Sequence, residues 1–225
     1  MGYFFLPGQH FRYTMAGQHR NFDAAAATWD ENPGRVKLAH DVARAIRETV
    51  NPGPETEALD FGCGTGLLSL ALLPAVRSII AIDSSKGMLD MLDTKIAAGH
   101  LSHIRTALAD LENGDSLPGP VDLVTSSMTF HHLRDPVPVL IEMARVLRPG
   151  GRIAIVDLDS DEGKFHDSPE GVFHNGFDRC MMQNYFEAAG FTSIKNRTAA
   201  VMQKAGADGK TRAFTVFVMT ATKKA

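Results

Sequence analysis

From Glu57 to Asp159 the chain repeats one pattern, a short apolar run, a turn and then a segment with helical spacing, at intervals of about 25 residues. The apolar runs are "EALDF", "SIIAID", "IRTALAD", "VDLVTSSM" and "GRIAIVDLD". Between and after them come "LLSLALL", stopped by Pro74, "SSKGMLDMLDTKIAAG" with Ser84 or Ser85 as N-cap, "PVPVLIEMARVL" and "DRCMMQNYFEAAG". Upstream, "GRVKLAHDVARAIRETV" puts Val36, Ala39, Val42, Ala43, Ile46 and Val50 on one helical face and stops before the breaker cluster "NPGPE". Strands that alternate with helices require right-handed crossovers, hence a parallel sheet covered on both faces. Two final strand-like runs, "FTSIKNRTAAVMQK" and "RAFTVFVMTATKK", have only the polar turn "AGADGKT" between them. That turn makes a hairpin and reverses the last strand. The expected fold is therefore α/β: a doubly wound, Rossmann-like, seven-stranded sheet, mostly parallel with an antiparallel C-terminal hairpin strand and helices on both faces. Residues 35–225 form its domain, and 1–34 an N-terminal segment with the role of a lid open to it.

A 225-residue chain that is 44% hydrophobic can bury one full core. Its formal net charge of -3, with acids and bases interspersed, argues against a dedicated nucleic-acid or anionic-membrane surface. Cys63 and Cys180 are the only cysteines, which points to a reducing, cytoplasmic setting without a disulfide framework. No apolar run approaches the ~20 residues of a membrane span. The opening "MGYFFLPGQHFRY" lacks the basic start and small-residue cleavage site of a signal peptide.

In a sheet of this kind ligands bind beyond the carboxyl ends of the strands, where strand order reverses. The turn "DFGCGTG" after the first strand lies there, and its glycines let backbone approach a ligand. A nucleoside triphosphate would need a longer loop ending in Lys-Ser or Lys-Thr, which is missing. A dinucleotide would need G-x-G-x-x-G, whereas the chain reads G-C-G-T-G-L, with Asp60 a poor neighbour for a pyrophosphate. A zwitterionic amino-acid group suits the acid and the helix N–H groups together. Asp83, closing the second strand, can accept both hydroxyls of a ribose. A ribose beside an amino acid indicates S-adenosyl-L-methionine.

The blocks "LDFGCGTG", "AIDSS", "ALADLEN", "VDLVTSSMTFHHLRDP" and "LRPGGRIAIVDLD", in this order, resemble the class I S-adenosylmethionine-dependent methyltransferases. Within that superfamily they are most similar to the small-molecule branch that includes the ubiquinone and menaquinone C-methyltransferases. "ATWDENPGR" and "VFHNGFDR" also resemble segments of uncharacterised bacterial members of this branch. The resemblance implies a cofactor site made by Asp60, Gly62, Cys63, Gly64 and Gly66 on the methionine side. It implies Asp83 and Ser84 at the ribose, Met88, Asp110 and Leu111 around the adenine, and Ser126 and Ser127 beneath the transferable methyl group. Glycines can also serve turn chemistry alone, and Met88 can also be core.

A sulfonium methyl group is already electrophilic, so alignment supplies much of the acceleration and a general base completes it. His131 and His132, just past the fourth strand, are the candidate bases; the alternative is that one imidazole only bonds backbone. Candidate substrate-binding residues are Trp29, Arg35, Asp157, His166, His174 and Phe177, with the long polar loop "SDEGKFHDSPEG" as a pocket wall. No HxxxH or CxxC spacing offers a metal site. The expected function is methyl transfer from S-adenosyl-L-methionine to a small-molecule acceptor, with no nucleic acid partner and a second copy of the chain left open as one. Two other readings stay open: a catalytically silent cofactor-binding or scaffold protein, and an NAD(P)-dependent oxidoreductase.

Overall fold

The computed structural model describes residues 21–205 and 210–224. The expectations placed on residues 1–20, and most of the hairpin turn after Ala205, lie outside the described residues. Seven strands, β1 (Glu57–Phe61), β2 (Ser78–Asp83), β3 (Ile104–Leu108), β4 (Val121–Ser127), β5 (Leu147–Leu158), β6 (Phe191–Ala205) and β7 (Thr211–Lys223), form one sheet in the order β3-β2-β1-β4-β5-β7-β6. Strands β1 to β5 pair in parallel, while β7 runs antiparallel to both β5 and β6. The doubly wound sheet and its reversed hairpin strand are as the sequence pattern requires.

The helices are α1 (Phe22–Ala25), α2 (Pro33–Val50), α3 (Leu67–Leu72), α4 (Lys86–Gly99), α5 (Pro136–Val146) and α6 (Arg179–Ala188). Side chains on successive strand residues point to opposite faces, and the core divides accordingly. Ala58, Ile79, Ala81, Leu123, Ala154 and Val156 pack with α2, α3 and α4. Their neighbours Leu59, Ile80, Ile82, Val124, Ile153 and Ile155 pack with α5 and α6 on the other face. Helix α2 starts where Asn32 accepts from the Gly34 N–H and Pro33 takes the first turn, and it ends at Asn51 in the left-handed conformation. The N-cap of α4 is Ser85 rather than Ser84. Helix α3 ends ahead of Pro74 as expected, and Leu73–Ala75 follows as a 3-10 turn. One boundary differs from expectation. Strand β5 begins at Leu147, ahead of the "RPGG" turn residues, across a register shift opposite Val121 and Leu123. Among the described residues no helix is long and apolar enough to cross a membrane.

Because β2 and β3 lie on one side of β1, and β4 and β5 on the other, the strand order reverses beside β1. A crevice opens there at the carboxyl ends of β1 and β4.

Candidate active site

A cavity of about 700 Å³ fills that crevice. Its floor is the turn after β1, tied down where the Gly62 and Cys63 N–H groups donate to the Ile82 carbonyl at 2.8 and 2.9 Å. Gly62 stands at φ +68°, and a Cβ there would lie 2.2 Å from Thr129 Oγ1. Gly64 faces open space, with Met88 Sδ 3.9 Å from where a Cβ would sit. Its N–H donates to Asp83 Oδ2 at 2.7 Å, and the Ser85 N–H donates to Asp83 Oδ1 at 2.8 Å. One carboxylate thus joins the β1 turn to the start of α4.

Asp60 lies beneath the turn, 1% exposed, accepting from Ser69 Oγ at 2.5 Å and Thr125 Oγ1 at 3.0 Å. Burial lifts its carboxyl to about 6, against the lowering effect of those two hydroxyls and with a further push from Asp83. Asp83 is also raised, by burial first, despite the N–H groups that bond it. Burial likewise pushes the Cys63 thiol well up, so it stays protonated. Among the described residues neither Asp60 nor Asp83 has a cationic partner.

A strap over the mouth comes from residues 21–31. Asp23 accepts from Ser85 Oγ at 2.6 Å and from the Gly87 N–H at 2.7 Å, fixing α1 to the start of α4. Asp30 accepts from Thr65 Oγ1 in the glycine turn at 2.5 Å and pairs with Lys95, whose ammonium also donates to the Thr65 carbonyl at 2.6 Å. The Arg35 guanidinium lies 3.8 Å from the centre of the Trp29 ring and donates to the Trp29 carbonyl.

Of the residues singled out for the cofactor, Asp60, Gly62, Cys63, Gly64, Asp83, Ser84, Met88, Asp110, Leu111 and Ser127 line this cavity. Gly66 does not: it caps α3 at φ +82°, and a Cβ there would strike Leu92 at 2.3 Å, so it serves packing. Ser126 does not either; it is fully buried within β4, its hydroxyl without a hydrogen-bond partner.

The two candidate bases separate. His132 lines the cavity, and its Nδ1 lies 2.5 Å from the Gly171 carbonyl. His131 is buried behind it, its Nδ1 bonded to Asp157 Oδ1 at 2.7 Å while its backbone N–H donates to Asp157 Oδ2 at 3.2 Å. Burial pushes the Asp157 carboxyl up, but the adjoining His131 and the Leu158 N–H outweigh it and hold the group below the usual carboxylate range.

Trp29 and Arg35 line the cavity; the other four substrate candidates do not. Asp157 is committed to His131. Phe177 is fully buried in the core against α6, with the His174 ring 4.9 Å away. His166 packs its ring on His131 at 4.8 Å, behind the wall. The loop from Asp159 to Asp178 turns these side chains inward, and Gly171 is its one residue on the cavity surface. Sequence reasoning missed Asn21, Phe22 and Asp23, which carry no motif, and Ser85, Met128 and Thr129, which adjoin motifs it did read. Met128 holds φ 58°, uncommon for a residue with a side chain and a mark of backbone shaped for a site.

Residues 59–155 match the methyltransferase domain family. An uncharacterized methyltransferase of Schizosaccharomyces pombe is 32% identical over 152 residues, covering 61% of this chain and 54% of that one. A demethylmenaquinone methyltransferase of Mycolicibacterium vanbaalenii is 30% identical over 145 residues, 64% and 60% of the two chains. The chain thus spans little more than half the length of these curated relatives. The solved structure of YcgJ from Bacillus subtilis superposes with a TM-score of 0.69 at 19% identity, over 83% of this chain and 99% of that one, a likeness of fold. The matched stretch carries the ends of β1, β2, β3 and β4 that floor the cavity, so the likeness to methyltransferase domains falls on the site itself.

Proposed function

We propose that this chain transfers the methyl group of S-adenosyl-L-methionine to a small-molecule acceptor. The observation that carries the reading is a pair of carboxylates, Asp60 buried and Asp83 half-buried, at the floor of the cavity with no cation beside them among the described residues. Burial of uncompensated carboxylates is costly. A ligand with an ammonium and a sulfonium relieves that cost, whereas a pyrophosphate would add to it. The whole lining agrees: Asp23, Asp60, Asp83, Asp110 and Glu112 face one guanidinium, Arg35.

Asp60 and the Gly62–Gly64 turn would hold the amino-acid end, with Arg35 toward its carboxylate. Asp83 would take the ribose hydroxyls, and Met88, Asp110 and Leu111 the adenine. When bound, the cofactor supplies an electrophilic methyl group. The protein's task is then alignment and exclusion of water, which the strap over residues 21–31 and the apolar side chains Phe22, Leu38, Met128 and Leu133 support. An acceptor of small-molecule size fits the cavity volume, and the Mycolicibacterium relative is named for a small acceptor, demethylmenaquinone. Two free thiols, Cys63 and Cys180, suit the cytoplasm.

Calorimetric titration with S-adenosylmethionine and S-adenosylhomocysteine tests the reading, with NAD and NADP as controls. Binding near micromolar, about -8 kcal/mol, weakened at least tenfold in Asp83→Ala, is the expected result. Binding of NAD instead, or of none of the four, would refute it.

A further inference from the structure

Which acceptor the site takes is written in the chemistry of His132, granted the methyl-transfer reading above. A carbonyl oxygen can only accept, so the 2.5 Å contact between His132 Nδ1 and the Gly171 carbonyl requires the proton to be on Nδ1. That leaves Nε2 as a lone pair, and among the described residues no protein group bonds it. The ring borders the cavity beside Met128, Thr129 and Leu133, edge-on to Phe22 at 5.1 Å.

The ring is held from behind. Asp157 takes both the backbone N–H and the imidazole of His131, clamping the Phe130–His132 turn to the end of β5. The loop is fastened to the same turn, since the Phe173 and His174 N–H groups donate to the His131 carbonyl at 2.9 and 3.2 Å. Titratable groups packed around His132 are His131 at 4.1 Å, His166 at 5.9 Å and the Asp157 carboxylate. Burial first, and His131 second, push His132 down to about 3, so the ring is neutral at neutral pH.

We propose that His132, fixed in its Nδ1–H tautomer by Gly171, offers Nε2 to the proton of a phenolic acceptor, so that the reaction is O-methylation of an aryl hydroxyl. Asp157 and His131 are positioning residues for it. In the step, the phenol oxygen forms a bond to the methyl carbon as the carbon–sulfur bond breaks. The sulfur keeps that electron pair and leaves as the thioether S-adenosylhomocysteine, and the hydroxyl proton passes to His132 Nε2 and then to water.

A neutral imidazole with a bare Nε2 at the cavity wall suits a hydroxyl. A carbon acid must be deprotonated before it attacks and needs a stronger base than imidazole. An amine attacks with its own lone pair and needs no base at that step. An oxygen that has gained a methyl group while holding its proton is a far stronger acid than the imidazolium, so the transfer runs downhill. The aromatic and thioether lining of Phe22, Trp29 and Met128 suits an aryl ring.

Two measurements on the full chain test this. With 15N-labelled histidine and S-adenosylhomocysteine bound, long-range proton–nitrogen correlation spectra read each tautomer, and His132→Gln identifies the His132 signals. The Nδ1–H form with a bare Nε2 at neutral pH is expected; an Nε2–H form or an imidazolium overturns the proposal. Then a phenol, an aniline, a thiophenol and a 1,3-diketone of matched size are offered with S-adenosylmethionine, and products are read by mass. Methylation of the phenol, reduced about a hundredfold or more in His132→Gln with S-adenosylhomocysteine affinity retained, supports it. Asp157→Asn should lower kcat for the phenol, with KM held, and disperse the His132 signals. Transfer confined to the other three, or to none, or unchanged in His132→Gln, overturns it while leaving the cofactor reading in place. Failure to bind S-adenosylhomocysteine overturns both.

Discussion

Asp60 makes the protein's stability depend on pH in a direction opposite to that of most carboxylates. The folded chain holds this carboxyl at about 6 because of burial, while the unfolded chain returns it to 3.8. The folded state therefore binds the Asp60 proton more tightly than the unfolded state. The resulting stabilisation is full below about pH 4 and is lost as pH rises through about 6. A shift of about two units corresponds to about 3 kcal/mol, of which about 2 falls between about pH 4.5 and 7.5. Other groups titrate in that window, so the assay is a difference. Urea unfolding of the protein and of Asp60→Asn is measured at matched pH values, and the two free energies are subtracted. A constant offset from repacking the amide against Ser69 and Thr125 drops out, and only the slope is read. Asp60→Asn should gain about 2 kcal/mol on the parent as pH is raised across that range. A flat difference would show that Asp60 titrates alike folded and unfolded, and would remove the uncompensated carboxylate from which the cofactor reading starts.

Three further outcomes are expected. Gly62→Ala brings a Cβ within 2.2 Å of Thr129 Oγ1 at φ +68°, so it should cost the ~1–2 kcal/mol of left-handed backbone plus the clash. Adding Thr129→Ala should recover the clash alone, a recovery visible in a double-mutant thermal melt. Asp30→Asn loosens the Thr65 and Lys95 clip over the glycine turn; S-adenosylhomocysteine should dissociate several-fold faster in stopped flow, with little change in melting temperature. Phe177→Ala should cost about 3–5 kcal/mol of stability while leaving S-adenosylhomocysteine affinity unchanged, since the ring is core and not cavity wall.

The sheet was legible because one physical rule, that a parallel strand needs a crossover, converts the order of apolar runs into an architecture. The cavity floor was legible for the same reason: Gly62, Asp83, Asp110 and Ser127 lie at or just past strand ends that the topology gathers on one side. Neighbours in sequence were harder. Ser126 and Ser127, or His131 and His132, are chemically alike, yet one of each pair lines the cavity and the other is buried behind it. Motif spacing does not resolve a single step along the chain, and the backbone there is set by contacts from β5 and the loop after it. That loop was least legible. Its histidines and phenylalanines suit a pocket wall by composition, but Asp161 accepts from the Gly163 and Phe165 N–H groups, and Phe177 pairs its backbone with Asp159. Those turns send His174 and Phe177 away from the cavity. Asn21, Phe22 and Asp23 are brought to the site by long-range contacts, Asp23 with Ser85 and Gly87 and Phe22 with the His132 ring, between residues more than 60 apart.

The strand order also sets a schedule for synthesis. Strand β6 is made before β7 but touches the sheet only through it, since β7 sits between β5 and β6. While the ribosome is still adding Thr211–Lys223, residues 191–205 have no strand to pair with, and the β5 edge lies open. The antiparallel partners span residues 152 to 222 in sequence, so sealing the sheet is the last assembly event and awaits the emergence of β7. Until then the nascent chain carries an open β5 edge and an unpaired β6, the condition in which chaperones bind and neighbouring chains aggregate.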